Sequence, residues 1–346
     1  MIGISVYAGM ENSIEEITDY IKLAHSMGIN LLFTSAHIPE VGDNFKEDFK
    51  TILNLCKQLN ITTIVDISKD YFEELDLDKY KMDYIRLDYG FTLEEAAQLT
   101  QDSRFGISVN ATTFDRKQIE KFIECGGKVE KINACHNFYP RKDTGVSTEL
   151  FVEKNKIFAE YGIKTMAFIP SSYKPRGPVH EGLPTIECHR GTLPLVSAQH
   201  LLKLGVDHIL IGDAMASKEE LEAISFLEED ITLLPIKLEE GISQAEISLL
   251  EECHTNRPDP GEYVIRSQES RVIKKEKIKA NNNMGIRKKY SVTIDNENYD
   301  RYEGELQIIK KDLDIDSRVN CVGSVEEASI LVELLEPNER FKFYFL

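Results

Sequence analysis

Short apolar runs and amphipathic stretches alternate along the first two thirds of the chain. The runs are IGISVY (2–7), LLFTS (31–35), TTIVDIS (62–68), YIRLDYG (84–90), GISVNAT (106–112), KINACHNF (131–138), KTMAFIP (164–170) and HILIGDA (208–214). Each is short, often β-branched and bounded by turn residues, as a strand covered on both faces should be. Between most of them lie segments with helical spacing. In the first, Ile14, Ile17, Ile21 and Ala24 fall on one face, and Gly28 stands where a helix stops. Several segments open with Ser, Thr or Asp ahead of acidic residues, a helix-start signal. The weakest unit is the third, where DYFEELDLDKYK is short and acidic. Eight runs alternating with helices predict either a closed (β/α)8 barrel or an open doubly wound sheet. No G-x-G-x-x-G follows the first run, and the span of roughly 230 residues suits one barrel. The expectation is therefore an α/β protein with a (β/α)8 catalytic barrel over residues 1–232.

After Leu233-Leu234-Pro235 the rhythm changes. Residues 236–346 carry strand-like runs at 262–267, 289–295, 305–313, 318–325 and 341–346, and one helical stretch at 325–335. This predicts a small β-rich second domain, a barrel in form. The segment 271–289 holds eight Lys/Arg against one Glu. It reads as a solvated loop or edge strand rather than a phosphate patch.

Composition narrows the function. With 42% hydrophobic residues the chain can bury a large core. A net charge of −18 argues against a general nucleic-acid or membrane-surface binder, since both need a cationic face. A few local arginines still suffice for a small phosphorylated ligand. The six cysteines include no C-x-x-C pair, so they read as reduced thiols rather than a zinc knuckle or redox dithiol. The start, MIGISVYAGMENSIEE, lacks the cationic region of a signal peptide, and no apolar run reaches the roughly 18 residues that span a bilayer. A cytoplasmic location, no membrane, no metal and no cofactor are expected, and self-association is left open.

In a barrel the active site forms at the C-terminal ends of the strands. There the sequence places Tyr7, His37 and Glu40, Asp66, Arg86 and Asp88, Asn110, then His136, Asn137, Tyr139 and Arg141. The long stretch after the seventh run adds Arg176, Glu181, Glu187, His189 and Arg190, and the eighth run ends at Asp213. Each has a structural alternative. Asp66, Asp88 and Asp213 can cap helices or close rim ion pairs, and Arg141, Arg176 and Arg190 can be solvated. Arg86 and Asp88 alternate and so point the same way, with Arg86 one layer deeper and holding a carboxylate in place. Cys135 and His136, as strand neighbours, face apart. No H-x-H closes the first run and no Lys ends any run, so amidohydrolase and Schiff-base chemistry lack their residues. Carboxylates are in surplus, and paired carboxylates are what glycoside hydrolysis needs. Two rivals stand beside it: a sugar-phosphate isomerase or epimerase using His136, Glu181, Glu187 and His189, and a non-catalytic carbohydrate-binding or regulatory protein.

SVYAGM, FTSAHIPE, IRLDYGF, HNFYPRKDTGVS, AFIPSS, RGPVHEGLPTIECHR and IGDAMAS together resemble the bacterial 6-phospho-N-acetylmuramidases. The resemblance runs through nearly the whole barrel and into the second domain, which in that family is cyclophilin-like. It implies a cytosolic glycosidase that removes 6-phospho-N-acetylmuramic acid from a phosphorylated cell-wall disaccharide during peptidoglycan recycling. It further implies Arg141 and Arg176, with Arg190 or His189, as the clamp for the 6-phosphate or lactyl carboxylate. Asp66, Asp88, Asp213, Glu181 and Glu187 become the carboxylate candidates, with Asp88 and Glu181 as the working pair. Asn110 and Asn137 would hold hydroxyls or the acetamido group, with Tyr7, His37, Arg86, His136 and Tyr139 also facing substrate. Attack by the acetamido oxygen itself stays open.

Overall fold

In the computed structural model, which describes residues 1–36, 45–74, 80, 82–101, 104–228 and 230–346, the chain forms two compact units, Met1–Phe226 and Leu227–Leu346. His37 and Glu40 lie outside the described residues.

Eight parallel strands of the first unit close a barrel in chain order. They are β1 (Ile2–Ser5), β2 (Leu31–Ser35), β3 (Thr62–Ile67), β4 (Tyr84–Leu87), β5 (Gly106–Asn110), β6 (Ile132–Cys135), β7 (Lys164–Ile169) and β8 (His208–Ile211). Closure pairs Ile2 with Ile209 and Ile4 with Ile211. The helices are α1 (Ile14–Ser26), α2 (Phe45–Leu59), α3 (Lys69–Glu74), α4 (Leu93–Leu99), α5 (Arg116–Glu124), α6 (Thr148–Glu160), α7 (Pro194–Lys203) and α8 (Lys218–Ser225). Capping boxes start four of them: Ser13 with Glu16, Thr92 with Glu95, Asp115 with Gln118, and Ser217 with Glu220. Each satisfies amide donors that the first helical turn leaves unpaired. In the weak third unit the described residues include the six-residue α3.

Inside the barrel Tyr7, Leu31, Phe33, Ile64, Cys135, Met166, Phe168 and Leu210 pack together. Phe33 meets Phe168 edge-on at 5.1 Å between ring centres, and Phe138 caps Phe168 at 5.0 Å. These rings fill the interior and leave a solid floor beneath the C-terminal mouth.

The second unit is one seven-stranded sheet, ordered β10-β15-β9-β14-β12-β13-β11 and barrel-like in form. Its strands are β9 (Ile231–Leu238), β10 (His254–Thr255), β11 (Val264–Arg266), β12 (Ser291–Asp295), β13 (Leu306–Ile309), β14 (Val319–Ser324) and β15 (Arg340–Phe345). Its short helices are α9 (Gln244–Leu250), α10 (Ser270–Ile273) and α11 (Ser329–Glu333). All five expected runs contribute a strand. The division at Phe226/Leu227 precedes the 232–236 stretch because Ile231–Leu238 pairs in parallel with β15, Pro235 opposite Tyr344. A proline inside an apolar run reads locally as a break, so this strand is hidden from sequence. The basic stretch is largely ion-paired: Lys274 with Glu303, Lys275 with Glu252, Lys277 with Glu297 and Lys289 with Glu333.

One buried carboxyl of this sheet carries a pH signature. Burial, then the nearby Glu305 and Asp316 carboxylates, push Asp295 up to about 7. The folded state therefore holds a proton that the unfolded chain has released between about pH 4 and 7, and stability falls as pH rises through that window. We expect amide exchange in β12 to show about 2–3 kcal/mol less protection at pH 8 than at pH 5, after correction for intrinsic rates. Asp295→Asn should flatten that difference; an unchanged slope in the variant would reject the assignment.

Candidate active site

Regular alternation along β3 and β4 brings Asp66 and Arg86 side by side in register and aims both toward the barrel axis. Arg86 is 5% exposed. Its Nη1 donates to Asp66 Oδ1 at 2.5 Å and lies 3.6 Å from Asp88 Oδ1. Its Nη2 donates to Asn137 Oδ1 at 2.5 Å. One guanidinium thus gathers residues from the ends of β3, β4 and β6. Burial opposes its charge, and Asp66 and then Asp88 more than offset that, holding its pKa above the usual arginine range. Side-chain exposure rises from 6% at Arg86 to 15% at Asp66 and 34% at Asp88, so the two acids lead from the floor toward the mouth. The expectation that Arg86 holds a carboxylate matches this geometry.

Asn137 is followed by Phe138, and with Phe138 a second group begins. The Arg176 guanidinium carbon sits 4.4 Å from the centre of the Tyr7 ring and 4.9 Å from that of Phe138. Two aromatic faces hold the cation without consuming its donors. Tyr7 is buried and donates its hydroxyl to the Gly212 carbonyl at 2.7 Å, and burial pushes its pKa up to about 12. Tyr7 therefore supports Arg176 rather than offering its hydroxyl to a ligand.

Several expected site residues turn out to build the loops. Asp213 is fully buried and accepts the N–H of Ser171 at 2.8 Å, Arg176 at 3.0 Å and Leu183 at 3.2 Å. Burial pushes its carboxyl above the ordinary value, against these donors and the Arg176 charge. It folds the loop after β7 and so places Arg176. Glu187 accepts the N–H of Asp143 at 2.9 Å and Gly145 at 2.7 Å, and Arg190 Nε at 2.6 Å. Hydrogen bonding from Arg190, opposed by burial and aided by the two backbone donors, holds its pKa at about 2. Arg190 spends its remaining donors on the carbonyls of Glu181, Gly182, Tyr139 and Arg141. With its N–H groups on protein acceptors, Arg190 stitches the loops after β6 and β7 and leaves the anion clamp. Glu187 leaves the carboxylate candidates for the same reason.

The histidines are corrected likewise. His136 is 2% exposed, points away from Cys135, bonds Asn155 at 2.8 Å and lies against the Phe151 ring of α6. Burial lowers it to about 4. His189 is fully buried against His200, 2.8 Å from Nε2 to Nδ1, and burial followed by that neighbour lowers it to about 3. Both are neutral imidazoles packed behind strands or loops, so neither serves an anion at the mouth, and the isomerase constellation is not assembled. Among the described residues, exposed Cys188 and buried His189 and His200 bring potential metal-ligand atoms within 4.8 Å of one another.

The remaining candidates are peripheral. Asn110 closes the turn after β5, its Oδ1 accepting the Thr112 N–H at 3.0 Å. Tyr139 is half-buried and Arg141 exposed, and their carbonyls receive Arg190. Glu181 is exposed, takes the Lys142 N–H at 2.9 Å and lines a cavity of about 410 Å³ with His180 and Thr192. Neither Asp66 nor Asp88 is in that lining. Sequence reasoning passed over Phe138, whose ring completes the Arg176 seat; its place next to Asn137 at a strand end was the available signal.

No curated protein matches the chain. Among solved structures it is similar to a conserved Enterococcus faecalis protein of unknown function: 30% identity, all of this chain and 96% of that one, TM-score 0.82. It is also similar to an uncharacterised B. cereus protein at 31% identity, 99% of each chain and TM-score 0.83. Residues 2–226 match the family described as 6-phospho-N-acetylmuramidase, N-terminal, and residues 232–344 its C-terminal counterpart. The barrel with its Arg86-centred carboxylates and the sheet that follows it together belong to the 6-phospho-N-acetylmuramidase family.

Proposed function

We propose that this protein is a cytoplasmic glycosidase that cleaves 6-phospho-N-acetylmuramic acid from a phosphorylated cell-wall disaccharide, in peptidoglycan recycling. The observation that carries this reading, beside the family match, is the Arg86 guanidinium holding Asp66 and Asp88 at one strand-end cluster. Glycoside hydrolysis needs one carboxyl to protonate the leaving oxygen and a second group to stabilise or attack the anomeric carbon. Asp88, the more exposed acid, takes the part of the acid toward the glycosidic oxygen. Asp66, paired with Arg86, serves the anomeric carbon or orients the acetamido group. Asn137 gives its amide oxygen to Arg86, so its NH2 is left to donate to a sugar oxygen. This moves the working pair from Asp88 and Glu181 to Asp66 and Asp88.

Arg176, seated on Tyr7 and Phe138, supplies the anion contact. The test of the function is release of N-acetylglucosamine from the 6-phosphorylated disaccharide by the purified protein; no release would sink it. Arg176→Ala is expected to raise KM for the phosphorylated substrate at least about tenfold more than for its unphosphorylated analogue. Equal loss on both substrates would move Arg176 away from the phosphate.

A further inference from the structure

The opposite end of the barrel holds a feature that the glycosidase reading does not use. At the N-terminal mouth, a cavity of about 490 Å³ opens among the first residues of β2 to β8. Barrel bottoms are ordinarily plugged by bulky branched side chains. Here β5 begins with Gly106, where a Cβ would fall 2.5 Å from the Tyr84 ring, so the bottom layer is thinned to let that ring lie across it.

The lining is polar and its charge runs against that of the whole chain. Arg104, Lys131 and Lys164 border the cavity, against Asp83 and Glu130. Asp83 is committed to the Thr63 N–H at 2.9 Å and the Thr63 hydroxyl at 3.1 Å. In a protein of net charge −18, cations gathered at one opening form a local anion-attracting field. Deeper, Asn133 is only 4% exposed, and its Oδ1 has no hydrogen-bond partner among the described residues. His208 also lines the cavity, and its Nδ1 is buried and equally without a partner. Burial, then the Met1 and Lys164 ammonium groups, lower His208 to about 4, which leaves a neutral imidazole able to donate or accept. Buried polar atoms of this kind cost about 1–3 kcal/mol each when unsatisfied, so they point to a polar occupant.

We propose that the N-terminal mouth of the barrel is a second binding site, taking a small hydroxylated anion of the sugar-phosphate class, with the anionic group on Lys164 and Lys131 and hydroxyls on Asn133 and His208. The site lies at the end of the barrel opposite the carboxylate cluster and stands whether or not the glycosidase reading holds.

The test follows the His208 imidazole by NMR in the full-length protein, assigned with His208→Gln. Inorganic phosphate and glucose 6-phosphate are titrated at constant ionic strength. Saturable shifts are expected, with glucose 6-phosphate binding the more tightly because it supplies the hydroxyls. Arg176→Ala should leave the titration unchanged. Lys164→Gln should weaken it about tenfold, which corresponds to about 1.4 kcal/mol. Lys164 is exposed, so this variant is expected to fold; Lys131→Gln is the second probe should it not. Shifts that never saturate, that disappear in Arg176→Ala, or that persist unweakened in both lysine variants would overturn the site.

Discussion

Asp88→Asn and Asp66→Asn should each lower kcat about 10³-fold or more, with KM changed less than about threefold. The 6-phosphorylated disaccharide is the substrate for the measurement. On the proposed reading both carboxylates act on charge that develops only in the transition state, so their loss appears in kcat. The two variants should differ in stability. Asp66 is the nearer partner of buried Arg86, at 2.5 Å against 3.6 Å for Asp88. Asp66→Asn leaves that guanidinium short of charge and should lower Tm, whereas Asp88→Asn should leave Tm almost unchanged. An aryl substrate with a good leaving group needs less acid assistance, so partial rescue of Asp88→Asn, and not of Asp66→Asn, would identify Asp88 as the acid. Glu181→Gln is the comparator. Retained turnover in Asp88→Asn together with its collapse in Glu181→Gln would restore the pair expected from sequence.

Arg86→Met carries the second large effect. Arg86 bonds Asp66 and Asn137 and faces Asp88, all within one buried cluster. Removing it leaves two carboxylates close together without their shared cation, at about 3–5 kcal/mol. For a protein of this size the loss should appear as a fall of about 10 °C in Tm. Activity should fall with it, because the acids lose the geometry that the guanidinium imposes. Arg86→Lys should restore neither, since one ammonium cannot reach Asp66 and Asn137 with two planar arms. Adding Asp66→Asn to Arg86→Met should return part of the lost stability, the signature of direct coupling. A Tm equal to that of the parent in Arg86→Met would show that the cluster is not held by this side chain.

Much of the fold was legible because its determinants are local. Runs covered on both faces, capping residues such as Ser13 and Asp115, and stop glycines such as Gly28 act over a few residues. Strand β9 was not legible, because Pro235 hides it and its partner β15 lies about a hundred positions downstream. At the site, the paired alternation of Arg86 and Asp88 showed in the sequence, since strand geometry alone sets it. The duties of Asp213, Glu187 and Arg190 did not show. Apart from the Glu187–Arg190 pair, their partners are backbone groups such as the N–H of Ser171, Gly145 and Leu183 and the carbonyl of Tyr139. Backbone groups carry no residue identity, so a hydrogen bond to one leaves no mark in the sequence.

By itself the sequence determined the eight-strand count, the inward positions, the family and the pool of polar residues at the strand ends. Tertiary structure alone decided which of those polar residues are spent on the protein and which remain for a ligand. Acids of like type, Asp66, Asp213 and Glu187, differ only in what surrounds them. Asp66 meets a guanidinium, Asp213 three amides, and Glu187 both. Because a carboxylate's role follows from its donors and its burial, both set by chain segments distant in sequence, the division of labour arises only on folding.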